Sequence, residues 1–208
     1  MHLLYIADPL CSWCYGFGPE LSQLLETRQG APMEIVMGGL RPFNREPMSE
    51  PFRNMLREHW RHVAEASGLP FTQANLERAG FIYDTEPACR AVATARRLHP
   101  ASAFGYFKAV QAAFYRDGRD ATQAEVLGEI AAESGYDREA FLERFASEAA
   151  REDALGDFSA AQALGVSGFP TLAVRHGKAV YLVTSGYVTA DVLAHRLAEI
   201  ERRVAAAR

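Results

Sequence analysis

The spacing of apolar residues predicts two kinds of structure along the chain. Short, continuous apolar runs at 3–7 and 33–37 predict buried strands, and two further runs within 171–183, separated by a polar turn sequence, predict a β-hairpin. Helical spacing follows the first strand, precedes the hairpin at 152–164 and closes the chain at 189–204. The order of elements at the two ends is therefore β-α-β and α-β-β-α, which indicates an α/β fold.

The middle of the chain has only helical spacing, and it keeps this spacing for about a hundred residues. Asp137 is placed to cap one of these helices, and Thr122 with Glu125 has the spacing of a capping box at the start of another. Amphipathic stripes predict three further helices, at 52–63, 86–98 and 104–115.

This change of spacing suggests how the chain is divided. We predict that residues 1–42 and 152–208 form the α/β domain and that residues 43–151 form an all-helical insertion within it. The chain has 208 residues, of which 49% are hydrophobic, so it can bury a core of substantial size.

The charge balance argues against two classes of partner. The chain carries 22 Lys and Arg residues against 26 Asp and Glu residues, whereas binding to nucleic acid or to an anionic membrane requires a concentrated basic surface. No apolar run approaches the ~20 residues of a membrane-spanning helix. Because the N-terminal residues also show no signal peptide, we expect a cytoplasmic protein. Thiols are kept reduced there, so a closely spaced cysteine pair is more often catalytic than structural.

Two of the three cysteines lie between the first strand and the first helix. Cys11 would face the unpaired N–H groups and the positive dipole end of that helix, both of which favour thiolate over thiol. Cys14 follows one helical turn later on the same face, close enough to attack a mixed disulfide formed at Cys11. The sequence Cys11-Ser12-Trp13-Cys14 therefore predicts a redox-active pair, with Trp13 covering the turn and contacting substrate.

A structural metal site is the alternative interpretation of these cysteines. Zinc usually takes four protein ligands, and the remaining candidates are Cys89 and the pair His59 and His62. Two ligands on one helix leave a zinc site open, but no other spacing in the chain asks for a metal, so we predict none. Cys89 is expected to be a small buried side chain, and the two histidines to lie on a polar helix face.

Two distant motifs together resemble a known family. Cys-x-x-Cys after the first strand and Gly-Phe-Pro-Thr before the hairpin resemble the thioredoxin fold with a helical insertion, as in the DsbA family. The opening Asp-Pro-Leu-Cys-Ser-Trp-Cys-Tyr-Gly-Phe-Gly-Pro looks most like the cytoplasmic, FrnE-like branch, often described as predicted protein disulfide isomerases. The resemblance covers essentially the whole chain.

The resemblance implies roles for individual residues. Cys11 matches the nucleophilic cysteine of the family and Cys14 the resolving cysteine, while Pro19 matches the proline that kinks the active-site helix. Pro170 matches the cis-proline that packs opposite the Cys-x-x-Cys turn, and the backbone of Phe169 before it would then pair with an extended substrate segment.

The chain also departs from the family pattern. Phe169 is bulkier than the Thr or Val found before the proline in thioredoxin and DsbA, and Ser12-Trp13 lacks the histidine that helps to make DsbA oxidising. Position 5, within the first strand, holds Tyr5 rather than an acidic residue. The nearest carboxylate is that of Asp8, so the group that accepts the proton of Cys14 is open.

The predicted function is a thiol-disulfide oxidoreductase or isomerase that acts on protein or peptide thiols and disulfides, without a bound cofactor and with glutathione as a candidate redox partner. One alternative is a glutathione-dependent isomerase or transferase of the 2-hydroxychromene-2-carboxylate isomerase type, which shares the resemblance but typically has serine at the position of Cys11. The other is a client-binding module without enzymatic activity.

Overall fold

A computed structural model describes residues 1–28 and 31–206. Within these residues the strands are β1 His2–Ala7, β2 Met33–Met37, β3 Thr171–His176 and β4 Ala179–Ser185. They form one sheet in the order β2-β1-β3-β4, in which β1 runs parallel to β2 and antiparallel to β3, and β3 and β4 form the hairpin. This is the α/β architecture that the element order predicts, a thioredoxin fold with helices inserted between β2 and β3.

Helices account for most of the remaining structure. The first and last are α1 Ser12–Thr27 and α9 Ala190–Ala206. Between β2 and β3 lie α2 Glu50–Ser67, α3 Ala74–Glu77, α4 Glu86–Leu98, a short 3-10 turn at Pro100–Ser102, α5 Ala103–Tyr115, α6 Ala124–Glu133, α7 Arg138–Ala146 and α8 Glu148–Ala163. The stripes at 52–63, 86–98 and 104–115 all lie in helices, so these predictions are confirmed.

Two helix starts differ from the sequence predictions. Helix α8 begins at Glu148 rather than at 152, because the Ser147 side chain accepts a hydrogen bond from the N–H of Ala150. The predicted capping box of Thr122 is wrong. Its hydroxyl and N–H both bind the carboxylate of Asp120, which holds Thr122 in a turn ahead of α6. By contrast, Asp137 caps α7 as predicted.

The central strand β1 is buried on both faces. Leu3, Tyr5 and Ala7 face the main core together with α1 and α9, whereas Leu4 and Ile6 face a second, smaller core with Ala161 of α8. A strand that is covered by helices on both faces has a continuous apolar sequence rather than one that alternates between apolar and polar residues. This explains why the sequence at 3–7 lacks polar residues.

A largely buried ion pair covers the outer edge of β2. Asp157 of α8 accepts hydrogen bonds from the N–H of Met37 at 3.0 Å and from both Nη atoms of Arg96 in α4, each at 2.8 Å. Arg96 also donates to the carbonyl of Ile35. The two side chains thus bind the backbone groups that a further strand would otherwise pair with, which protects this edge from other chains.

We predict that Asp157→Ala destabilises the protein by about 3 kcal/mol, because it leaves Arg96 and an edge N–H buried without their partner. Urea unfolding measures this loss. Asp117→Ala is the matched control: Asp117 pairs with Arg116 on the surface, where an ion pair contributes about 1 kcal/mol or less. Equal losses for the two variants would contradict the structural role of Asp157.

Candidate redox site

The chain leaves β1 and enters α1 through a tight turn that ends at Cys11. The N–H of Cys11 donates to the carbonyl of Asp8 at 3.1 Å, and Cys11 itself is the residue immediately before the first turn of α1. Its carbonyl accepts the N–H of Tyr15, which begins the helical ladder. Cys11 therefore lies at the positive end of the α1 dipole, as the sequence predicts.

The two thiols differ in access and in their surroundings. Both are free, but Cys11 is 6% exposed and lines a cavity, whereas Cys14 is 0% exposed. Burial raises the pKa of Cys14 well above its usual value, and the adjacent Cys11 thiol raises it further. Tyr5 also lies beside Cys14; burial, and then the two cysteines, raise the pKa of its hydroxyl. Cys14 is therefore held as a protonated thiol behind Cys11.

The predicted cis-proline lies opposite the cysteine pair. The Phe169–Pro170 peptide is cis, and the Cys11 Sγ is 3.7 Å from the Phe169 carbonyl oxygen, which accepts its hydrogen bond. Pro170 is buried, and the half-buried Phe169 ring fills the space beside Gly38, where a Cβ would come within 2.0 Å of the ring. The fold thus joins the two motifs from opposite ends of the chain.

The buried side chain of Asp8 holds the turn before Cys11 through hydrogen bonds. Asp8 is fully buried and accepts hydrogen bonds from the N–H of Leu10 at 2.8 Å, the N–H of Leu40 at 2.6 Å and the thiol of Cys89 at 3.3 Å. Burial raises the pKa of Asp8, and the N–H donors at Leu40 and Leu10 oppose that rise. Cys89 is a small buried side chain, as predicted, and the turn is bound to the helical insertion through it.

A cavity of about 340 Å³ opens beside Cys11. The half-buried Trp13 borders it, with ring centroids 6.0 Å from His59 and 5.6 Å from Tyr187. Arg41 also lines it; its guanidinium lies over the Phe52 ring at 4.5 Å, and its Nε is buried without a hydrogen-bond partner among the described residues. Cavities of this size accept small ligands or a single peptide side chain.

His59 corrects one expectation and shows what the sequence does not reveal. Predicted on a polar helix face, it is instead half-buried against Trp13, and burial, followed by the nearby His62, lowers its pKa. His59 and Arg41 are thus both part of the cavity wall. No motif marks either residue, because both reach the cavity only through tertiary packing.

Metal ligands do not converge in this site. Across residues 1–28 and 31–206, no group of three or more His, Cys, Asp or Glu side chains is arranged to hold a metal ion.

None of the helices in the same part of the chain is both long and apolar enough to cross a membrane.

The fold and the paired thiols define a thioredoxin-fold protein of the type that carries a helical insertion. Residues 5–198 match the DSBA-like thioredoxin domain, and the chain belongs to this family. No protein with a curated description matches the sequence.

Three solved structures show how closely this architecture is shared. A candidate protein disulfide isomerase from Nitrosomonas europaea is 35% identical, with a TM-score of 0.91 over 97% of each chain. The cytosolic disulfide reductase DsbM from Pseudomonas aeruginosa, solved with GSH, is 27% identical, with a TM-score of 0.79 over 97% of this chain and 100% of that chain. A 2-hydroxychromene-2-carboxylate isomerase, at 20% identity and a TM-score of 0.66 over 98% and 96%, shares the fold.

The buried Asp8 predicts a specific pH dependence of stability. Its pKa in the folded protein is raised above the usual 3.8, so the folded state holds the proton more tightly than the unfolded state does. The stability that Asp8 contributes is therefore fully present below pH 3.8 and declines as the pH rises towards the folded pKa. We expect the free energy of unfolding of the wild type, minus that of Asp8→Asn, to fall across this window in pH-dependent urea titrations. A difference that rises with pH would contradict this assignment.

Proposed function

We propose that the protein is a thiol-disulfide oxidoreductase in which Cys11 is the nucleophile and Cys14 the resolving cysteine. The observation that carries this proposal is the asymmetry of the pair: Cys11 borders the cavity at a helix N-terminus, whereas Cys14 is enclosed directly behind it. A thiolate that a client disulfide can reach attacks that disulfide, and a protected second thiol releases the product.

The same geometry serves both directions of exchange. In the reducing direction, the Cys11 thiolate attacks a client disulfide and expels one client thiolate, and Cys14, on losing its proton, attacks the Cys11 sulfur and expels the other. The client gains two electrons and the enzyme becomes the Cys11–Cys14 disulfide. In the oxidising direction the same steps run in reverse, and the reduction potential decides which is favoured.

Trp13, Phe169 and Pro170 are proposed as the substrate-binding residues. Trp13 and Phe169 line the same cavity as Cys11, and Pro170 follows the Phe169 carbonyl that binds the Cys11 thiol. The 2-hydroxychromene-2-carboxylate isomerase type remains the less favoured function, because this chain places a thiol pair at the site where such enzymes typically have serine.

The division into an α/β domain of residues 1–42 and 152–208 and an insertion of residues 43–151 also stands as a proposal. In this division the α/β domain supplies both thiols and the Phe169–Pro170 segment, and the insertion supplies the cavity wall opposite them, including Phe52 and His59. Substrate chemistry would then lie on one domain and client shape on the other.

Glutathione is the proposed small redox partner, beside protein or peptide clients. DsbM, a neighbour described as cytosolic, was solved with GSH, and in this chain Arg41 lines the cavity that Cys11 borders. A guanidinium binds a carboxylate with paired, charge-assisted hydrogen bonds, and glutathione carries two carboxylates beside its thiol. A cytoplasmic location fits this chemistry, because glutathione keeps thiols reduced there.

Across a series of glutathione redox buffers, the wild-type protein should show a reversible two-electron transition between dithiol and disulfide. Thiol labelling at each buffer ratio measures the reduced fraction. A midpoint near −270 mV would be typical of thioredoxin-like reductants, and one between about −180 and −120 mV of isomerases or oxidants. Cys14→Ser should accumulate a mixed disulfide with a client peptide at Cys11, whereas Cys11→Ser should not react.

Two outcomes would contradict this function. One is the absence of any reversible transition in the wild type. The other is a Cys11→Ser variant that retains full activity towards client disulfides, which would favour a binding module. Cys89→Ser is the control: Cys89 is buried against Asp8 and should leave the two-electron stoichiometry unchanged.

We expect Arg41→Gln to raise the KM for glutathione about tenfold, the effect of losing one charge-assisted hydrogen bond, with little change in the rate of reduction by uncharged 2-mercaptoethanol. Arg45→Gln is the matched control, because Arg45 is exposed on the same loop and does not line the cavity. Equal losses with both thiols would show that Arg41 acts on Cys11 rather than on the carboxylate.

A further inference from the structure

Both backbone groups of Leu10, the residue immediately before Cys11, are bound by buried side chains. The N–H of Leu10 donates to Asp8, as described above, and the carbonyl of Leu10 accepts hydrogen bonds from the hydroxyls of Tyr83 and Tyr115. The contact from Tyr115 measures 2.6 Å. Tyr83 and Tyr115 belong to the helical insertion and lie 73 and 105 residues from Leu10.

Both hydroxyls can act only as neutral donors at this position. Tyr83 and Tyr115 are 3% and 0% exposed, and burial raises the pKa of each. A phenol has one hydrogen to donate, and in both residues the Leu10 carbonyl oxygen is the nearer acceptor: the two hydroxyl oxygens are 3.4 Å apart. The carbonyl thus has both of its lone pairs occupied.

We propose that Tyr83 and Tyr115 are positioning residues that shift the redox equilibrium of the Cys11–Cys14 pair through the carbonyl of Leu10. This inference rests on the proposed oxidoreductase function and adds a role for the insertion, since neither tyrosine reacts with a client.

The two tyrosines act on Cys11 by changing the partial charge of the neighbouring Leu10 carbonyl group. A carbonyl oxygen is the negative end of the peptide dipole, and an unpaired one close to Cys11 disfavours a thiolate there. Two O–H donors offset that negative end and hold the turn in place. Each hydroxyl therefore stabilises the reduced, thiolate-bearing form relative to the disulfide.

The experiment compares four variants with the wild type: Tyr83→Phe, Tyr115→Phe, the double variant and Tyr106→Phe. Each is equilibrated with glutathione, where the enzyme disulfide and two GSH give the enzyme dithiol and one GSSG, and the reduced fraction is read by thiol labelling. Tyr106 is the matched control: it is a 0% exposed tyrosine of the same insertion, but its hydroxyl donates to Leu127 at 2.9 Å, away from the cysteines.

We expect Tyr83→Phe and Tyr115→Phe each to shift the equilibrium towards the disulfide, by about tenfold for the double variant, which corresponds to about 30 mV. Tyr106→Phe should lose a similar amount of thermal stability and leave the equilibrium unchanged. The inference is overturned if the Leu10-binding variants shift the equilibrium no more than Tyr106→Phe does, or shift it towards the dithiol. If the double variant does not fold, the single variants decide, because each retains one donor to Leu10.

A second readout separates this inference from the proposed function. In the Cys14→Ser background, the rate of Cys11 alkylation by iodoacetamide reports thiolate formation without any disulfide chemistry. Tyr83→Phe and Tyr115→Phe should move its rise to higher pH, and Tyr106→Phe should not. If the tyrosine variants show this shift of the alkylation profile but the wild type shows no redox transition, only the oxidoreductase function is refuted. If the wild type shows a normal redox transition but the tyrosine variants show no shift of the alkylation profile, only the role of the tyrosines is refuted.

Discussion

The burial of β1 between two helical layers is the constraint on which the site depends. Because helices cover both faces of this strand, its position in the sheet is fixed, and the chain must leave it at one place to begin α1. Cys11 is the residue at that exit, so it lies at the N-terminus of α1, where the helix dipole is positive and the first N–H groups have no partner within the helix. The position of the thiol is thus a consequence of the core.

Buried polar side chains surround the point at which the chain leaves β1. Asp8, Tyr5, Cys14 and Cys89 are all fully buried, and burial is the largest cause of the raised pKa of each. Burial thus disfavours the charged form of each of these groups, and Cys11 is the member of the cluster that borders the cavity. The selectivity between the two cysteines therefore comes from access and desolvation together.

The helical insertion is bound to the sheet by polar contacts as well as by packing. The pair of Arg96 and Asp157 links α4 and α8 to the edge strand β2, and the hydroxyls of Tyr83 and Tyr115 bind the turn before Cys11. Removing one partner of such a buried contact costs more than forming it gains, because the other is left unsatisfied. These contacts fix the cavity wall relative to the nucleophile.

The sequence by itself determined the strand–Cys-x-x-Cys–helix unit, the hairpin after Pro170 and most of the inserted helices. These features are encoded in the spacing of neighbouring residues, which is visible in a single chain. Only the tertiary structure decided which polar groups meet at Cys11. Arg41, Tyr83 and Tyr115 carry no local signal, and the two tyrosines reach Leu10 across 73 and 105 residues. Contacts over such separations depend on how whole elements pack, and that is not written in any local pattern.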